Sequence, residues 1–238
     1  MPLYAVLHIM QRVVHSRNEK LLSGKMSDRV LVAGASGLIG GLVLDKLGNR
    51  AITLGRRRLD GAGEEQLVGP VEAWPGLIAA ARPNAVICAL GTTMRIAGSR
   101  EAFRAVDHDA ILAVATAARM AGAGRFLLVS SVGASVRSPI FYLRTKGETE
   151  GAVVALKFGR LDIFRPGLLT GDRREHRSSE QLATRLSPLT DALTPPFLDR
   201  YRSIAARDVA EAMVATLSAA GEGVHIHHNR EILRVARG

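Results

Sequence analysis

Tyr142 and Lys146 stand four residues apart, a spacing that brings two side chains together on one face of a helix. A lysine cation beside a phenol favours the phenolate. A phenol drawn towards neutrality can donate a proton to a carbonyl oxygen or take one from an alcohol. Lowering a phenol by about three pH units from its usual value near 10 requires roughly 4 kcal/mol of differential stabilisation, part of which a cationic ring bound nearby could supply. Ser130 and Ser131 come 12 and 11 residues before the tyrosine, directly after the apolar run 126–129. A hydroxyl at the end of a buried strand can donate to the same oxygen. The plain alternative is a strand-to-loop turn, which serines favour.

A second constellation suits an anion. Val30 to Ala33 is a short apolar, β-branched run, the mark of a buried strand. Leu38 to Leu47 reads as a helix, with Leu38, Leu42 and Leu47 on or near one face. Between them stand Gly34, Gly37 and Gly40 at intervals of three. Strand, glycine turn and helix together make a pyrophosphate site: Gly34 permits the tight turn, Gly37 lets the backbone approach the phosphates, and Gly40 lets the helix pack on the strand. The helix N-terminus offers free N–H groups and a positive dipole. A dinucleotide held by Gly34, Ser36, Gly37, Leu38, Ile39 and Gly40 is therefore expected. A second strand, 51–54, ends in Gly55-Arg56-Arg57-Arg58, where a site for an unphosphorylated ribose usually carries an acid. The guanidinium groups of Arg56 and Arg57 suit a 2′-phosphate, so NADP(H) is expected in preference to NAD(H). Otherwise these arginines only solvate a loop.

The elements that must position these groups alternate between strand and helix, which predicts an α/β fold with a doubly wound parallel sheet, the Rossmann fold. Residues 59–70, glycine-rich and acidic, read as a loop, 71–74 as a short third strand, and 76–81 as a short helix closed by Pro83. Residues 85–90 read as a buried strand. One or two helical stretches follow in 101–121, alanine-rich where they must lie tightly on a sheet. Next come a strand at 126–129, a long helix at 141–158, and a strand at 161–165 that stops at Pro166-Gly167. From Gly171 to Ser203 the alternation fails. Ser178 with Gln181 forms a capping box, and Pro188, Pro195 and Pro196 interrupt the helix that would start there. Ligands of open α/β sheets bind beyond the carboxyl ends of the strands, so 171–203 is the expected substrate-covering segment. Residues 206–218 read as an amphipathic helix, and 224–235 as a last strand or short helix.

Composition narrows the class. The chain of 238 residues can bury a sizeable core, and its 47% hydrophobic and 23% charged content is ordinary for a soluble globular protein. Residues 27–238 read as one nucleotide-binding domain. No apolar run reaches the length of a membrane span. A single cysteine, Cys88, excludes an internal disulfide and fits a reducing compartment, so a cytoplasmic protein is expected. Arginine supplies 27 of the 32 basic residues behind the net charge of +10, spread along the chain with only 4% aromatics. That argues against a nucleic-acid stripe, while a basic field still attracts a phosphorylated cofactor. Residues 1–26 differ from the rest: an apolar stretch, Tyr4 to Met10, precedes Arg12, Arg17, Lys20 and Lys25 with only Glu19 against them. One reading is an amphipathic targeting segment. The preferred one is a start at Met26, with the extension adding nothing to the site. Cys88 is expected as a core thiol, and His225, His227 and His228 as a surface strand rather than a metal site. Arg173, Arg174 and Arg177 either bind an anionic substrate or form a solvated charge run.

Taken together, Gly-Ala-Ser-Gly-Leu-Ile-Gly at 34–40, Ser130-Ser131 and Tyr142-Leu-Arg-Thr-Lys146 resemble the short-chain dehydrogenase/reductases, with the glycine spacing of their extended and atypical members. Cys88-Ala-Leu-Gly-Thr-Thr93, Val106-Asp107, Phe141-Tyr142 and Lys146-Gly147-Glu148 resemble the small atypical branch that includes the Tat-interacting oxidoreductases. Arg165-Pro166-Gly167 and Arg207-Asp208-Val209-Ala210 match later family features. The resemblance covers about residues 28–235. It implies Tyr142 as general acid/base, Lys146 as the residue that lowers its pKa and holds the nicotinamide ribose, and Ser131 as the group polarising the substrate carbonyl. It also implies Leu90, Gly91 and Thr92 along the cofactor, and Pro166, Gly167 and Leu168 near the nicotinamide. A homodimer through the helices of 101–121 and 142–158 is implied by analogy. The chain departs from the pattern in its short Ser131–Tyr142 interval, in having no asparagine between Ala85 and Arg125, and in lacking an acid in Leu67-Val-Gly-Pro-Val71. The expected activity is hydride transfer to or from a small carbonyl or alcohol. The alternative is a redox-responsive NADP(H)-binding regulatory domain with little turnover. Epimerase or dehydratase chemistry on a nucleotide-linked sugar is a further alternative, for which the region after Gly171 is small.

Overall fold

The apolar runs of the sequence become the centre of one parallel sheet. A computed structural model describes residues 29–171 and 200–238. The expected N-terminal extension, the Ser178–Gln181 helix start, Arg173, Arg174, Arg177 and most of the 171–203 segment lie outside the described residues. Strand β1 (Val30–Ala33) leads through the glycine turn into α1 (Leu38–Leu47), and then come β2 (Ala51–Gly55), β3 (Gln66–Val68), α2 (Trp74–Ala81) and β4 (Ala85–Cys88). The short helices α3 (Met94–Ala97) and α4 (Arg100–Arg104) follow, then a π-helical segment, Ala105–Ala110, that runs into α5 (Ile111–Met120). The rest comprises β5 (Arg125–Val129), α6 (Phe141–Val154), β6 (Arg160–Phe164), β7 (Leu169–Thr170), β8 (Ile204–Ala205), α7 (Ala206–Thr216), β9 (Gly223–His227) and α8 (Asn229–Ala236). The main sheet has the order β3-β2-β1-β4-β5-β6-β9, and every neighbouring pair is parallel. β7 and β8 form a separate parallel pair.

Side chains alternate across each strand, which divides the core into two layers. Leu31, Ala33, Ile52, Leu54, Val86, Cys88, Phe126 and Leu128 meet α2, α5 and α6. Val30, Val32, Ala51, Ala85, Ile87, Leu127 and Phe164 meet α1, α7 and α8. Helices thus cover both faces, as a doubly wound sheet requires. Ala115, Ala117 and Ala118 on α5 are buried and let that helix lie close to the sheet.

Three expectations are corrected. The third strand is Gln66–Val68, not 71–74, and so 59–70 is not all loop. The Gln66 side chain accepts the Leu59 N–H (2.9 Å) and donates to the Leu59 carbonyl (3.1 Å), closing the loop and laying the strand beside β2. Residues 71–73 form a 3₁₀ turn instead, because the Trp74 ring enters the core and its indole N–H donates to the Gly69 carbonyl at 3.0 Å, rolling the chain into α2. The helix expected over 141–158 ends at Val154, and the chain turns back towards β6 through Lys157 at φ 55°. The last stretch holds both a strand and a helix rather than one of them.

Strand β9 is tied to β6 by a buried polar cluster. Asp162 takes Arg160 in a two-pronged ion pair (2.7 and 2.9 Å) and pairs with His227 Nε2 at 2.8 Å. Burial opposes the charge on Asp162, but the His227 and Arg160 hydrogen bonds prevail and hold its carboxyl below the usual range. His227 also stacks on Phe164, with ring centroids 4.7 Å apart.

Candidate functional site

Because the strands are parallel, the residues that follow each strand gather at one edge of the sheet. Gly34 to Gly40 follow β1, Arg56 and Arg57 follow β2, Leu90 to Thr92 follow β4, Ser130 and Ser131 follow β5, and Pro166 to Leu168 follow β6. The sheet order reverses its direction of growth between β1 and β4, the place where such sheets open a crevice for ligands.

The glycine turn is held by backbone. Gly34 has φ 86°, and a Cβ on it would lie 2.6 Å from the Ala89 carbonyl group beyond β4. A Cβ on Gly40 would fall 2.1 Å from the Gly34 carbonyl oxygen. Gly37 differs: it is exposed, and its Cβ would meet only the Gly34 oxygen, at 3.3 Å. The space in front of it is open. Gly37 is also the N-cap of α1, which has no side-chain cap and no acid in its first turn. Ser36 is exposed and Leu38 half-buried, whereas the Ile39 side chain belongs to the core, so only its backbone faces the turn. Arg56 and Arg57 are exposed at the same sheet edge.

Helix α6 carries Tyr142 and Lys146. A Cβ on Gly147 would lie 2.4 Å from the Ser135 backbone, so this glycine lets α6 press against the loop that follows Ser131. The same loop donates Ser135 N–H to the Leu143 carbonyl at 3.1 Å. Tyr142 is half-buried, with its ring 5.5 Å from Phe103. Ser131 is half-buried and its hydroxyl donates to the Val132 carbonyl at 3.3 Å. Ser130 is buried, and its hydroxyl oxygen has no hydrogen-bond partner among the described residues. Pro166 is buried and accepts the Val132 N–H at 3.0 Å, the Gly167 N–H donates to the Asn229 side chain at 2.9 Å, and Leu168 is exposed.

Lys146 is 5% exposed and pairs with Asp107, whose Oδ1 lies 2.7 Å from its Nζ. Burial alone would lower the lysine pKa, but the Asp107 and Tyr142 charges outweigh it, and the net direction is upward. Gly91 borders this pair: a Cβ there would meet Asp107 Oδ1 at 3.4 Å and Lys146 Nζ at 3.7 Å. Sequence reasoning did not single out Asp107 for chemistry. A signal was present, since Phe103, Asp107, Ala110, Ile111 and Val114 follow helical spacing, and an acid on such an apolar face implies a buried cation. Cys88 lies beneath the site, and burial pushes its thiol up to about 12, in keeping with a core residue. His225 and His227 lie on β9 and His228 precedes α8. Among the described residues no cluster of His, Cys, Asp or Glu is arranged to hold a metal, and no helix is long and apolar enough to cross a membrane.

This arrangement defines the nucleotide-binding α/β class of the short-chain dehydrogenase/reductases. Among solved structures the fold resembles MoeE5 in complex with UDP-glucuronic acid and NAD (TM-score 0.65, 18% identity, covering 83% of this chain and 75% of that one). It also resembles dTDP-4-dehydrorhamnose reductase from Bacillus anthracis in complex with NADP (TM-score 0.61, 15% identity, 88% and 81%). No protein-family model matches the chain. Rat (Rattus norvegicus) protein HTATIP2 is 34% identical over 226 residues, which is 90% of this chain and 91% of its own length. The mitochondrial protein FMP52 of Lodderomyces elongisporus is 37% identical over 169 residues, 64% of this chain and 71% of its own. The chain belongs to the HTATIP2 branch of the atypical NAD(P)-binding short-chain dehydrogenase/reductases. The expectation of a cytoplasmic protein is corrected by these comparisons: fungal relatives from Lodderomyces elongisporus, Meyerozyma guilliermondii and Emericella nidulans are named mitochondrial.

Proposed function

We propose that the chain is an NADP(H)-dependent oxidoreductase acting on a small carbonyl or the corresponding alcohol. The observation that carries this reading is the placing of Tyr142 and buried Lys146 on α6, beside the sheet edge where the glycine turn opens. The residues fit a dinucleotide. The uncapped start of α1 and the open space at Gly37 suit a pyrophosphate, Arg56 and Arg57 suit a 2′-phosphate, and the unpartnered Ser130 hydroxyl and the Leu90–Thr92 and Pro166–Leu168 backbones would line the remainder. When bound, the nicotinamide supplies or takes the hydride. Tyr142 holds the proton that moves to or from the substrate oxygen. Ser131 exchanges its long bond to Val132 for one to the same oxygen and orients it. Lys146 stabilises the phenolate and holds the ribose hydroxyls.

Calorimetric titration with NADPH and NADH, followed by a screen of carbonyl substrates, tests the proposal. Tyr142→Phe should lower turnover by about 100-fold or more and leave NADPH affinity unchanged. Turnover that survives this change would refute the acid/base role, and NADH binding as tight as NADPH would refute the cofactor preference. The second reading, a redox-responsive regulatory domain, is favoured by the neutralisation of Lys146 by Asp107. It predicts NADPH binding, no turnover on any carbonyl, and partner binding that Tyr142→Phe leaves intact.

A further inference from the structure

We propose that Asp107 is a positioning residue of this site: it fixes Lys146 and cancels much of its charge, so that Tyr142 meets the field of an ion pair rather than of a lysine alone. This deepens the oxidoreductase reading and rests on it for its catalytic meaning. The Asp107 side chain has no exposed surface, and each of its oxygens is engaged by a different element. Oδ1 lies 2.7 Å from Lys146 Nζ on α6, and Oδ2 accepts the Thr92 N–H, beyond β4, at 2.7 Å. Its backbone carbonyl accepts the Thr149 hydroxyl at 2.8 Å, from the same α6 turn that follows Lys146. The carboxylate cannot swing away without stranding buried donors. It sits in the π-helical segment Ala105–Ala110, and single π turns within helices often mark functional positions.

The groups that act on Lys146 are Asp107 from the π segment, Tyr142 from α6 and Cys88 from β4. The Cys88 thiol, pushed up to about 12, carries no charge near neutral pH. Asp107 is therefore the fixed counter-charge. Side chains four apart on a helix have Cβ atoms roughly 5–6 Å apart. For any charge separation of about 6 Å and an effective dielectric of about 20, a lone ammonium would lower a phenol by roughly two pH units. A carboxylate 2.7 Å from the ammonium turns the single charge into a dipole and removes a large part of that shift. Asp107 thereby sets how much of the lysine charge reaches the phenol that handles the proton.

The test is ultraviolet titration of tyrosinate in the full chain. Each protein is read against its Tyr142→Phe counterpart, which isolates one of the three tyrosines. Asp107→Asn keeps the shape and an acceptor for Thr92. It should move the Tyr142 step to lower pH by about one unit or more. The double change Asp107→Asn with Lys146→Met removes both charges and should return the step to within about half a unit of the wild type. An unmoved or raised step in Asp107→Asn overturns the proposal. If that variant does not fold, the double variant decides instead, since a step about one unit or more above the wild type would mean that the lysine had acted with its full charge. Asp107→Glu should restore much of the wild-type titration, which a merely structural loss would not do. With a substrate in hand, the acid limb of the kcat profile for alcohol oxidation should move with the phenol. Absence of turnover in the wild type would count against the oxidoreductase reading and leave the titration result for Asp107 standing.

Discussion

The contact between Gly40 and Gly34 makes a sharp demand on the glycine turn. In Gly40→Ala the new methyl would lie 2.1 Å from the Gly34 carbonyl oxygen, and an ordinary contact of 3.4 Å requires α1 to retreat by about 1.3 Å. The obstacle is backbone, so no side chain can rotate away. Overpacking of this kind costs about 1–3 kcal/mol, which in a domain of this size lowers Tm by roughly 3–10 °C. The same retreat withdraws the first N–H groups of α1 from the position of a pyrophosphate. Each hydrogen bond lost to a charged group is worth about 1.5–3 kcal/mol, so NADPH affinity should fall by about 10- to 100-fold. Gly41→Ala is the internal control. Its methyl would meet only the Ala35 carbonyl oxygen, at an ordinary 3.5 Å, and alanine in place of glycine within a helix stabilises by roughly 0.5–1 kcal/mol. Scanning calorimetry and NADPH titration of the two variants read both effects. A Gly40→Ala protein that matches Gly41→Ala in Tm and in NADPH affinity would refute the reasoning about this turn.

Other outcomes follow from the same geometry. Replacing Arg56 and Arg57 by serine should weaken NADPH by about 100-fold or more and leave NADH nearly unchanged, since each lost charge-assisted bond to a 2′-phosphate is worth about 1.5–3 kcal/mol; paired titrations check this. Asp162→Ala leaves Arg160 buried without its partner and should cost about 3–5 kcal/mol in urea unfolding. The Asp162 carboxyl titrates below its usual value in the folded state. Its contribution is therefore complete above the unfolded-state value near 4 and is lost as pH falls through the folded value, so acidification from about pH 5 to 3 should destabilise the wild type more steeply than Asp162→Asn. Cys88, buried and with its thiol raised to about 12, should resist iodoacetamide at about pH 8 in the native protein and react fully once unfolded.

What could be read from the sequence divides along physical lines. The glycine turn was legible because its steric demands are local: Gly37 and Gly40 both press on Gly34 within seven residues. Central strands such as β1 and β4 were legible because both faces are buried and no polar residue interrupts them. The edge strand β3 was not, since it holds only Gln66 to Val68 and its place depends on a clamp between Gln66 and Leu59. A run such as 71–74 looks equally strand-like until the Trp74 ring finds the core. Asp107 was hidden for a different reason, because its partner Lys146 is 39 residues away and only the packing of α6 on the π segment brings them together. The hydroxyl of Ser130 shows the opposite case. The serine pair was visible in the sequence, but which hydroxyl is buried without a partner depends on how the chain leaves β5.

The bond from the Gly167 N–H to the Asn229 side chain spans 62 residues, and the same asparagine amide donates to the Arg202 carbonyl at 2.7 Å. A chain emerging from a ribosome therefore makes its glycine turn early and completes the corner after β6 last. At synthesis rates of about 5–20 residues per second, roughly 10–40 s separate Gly40 from Asn229. For about the last third of that interval, the 62 residues from Gly167 to Asn229, the Pro166–Leu168 corner waits for a residue not yet made. The half-built sheet exposes the edge of β6 that β9 will cover, so a chaperone acting on this protein would find its longest-lived target there.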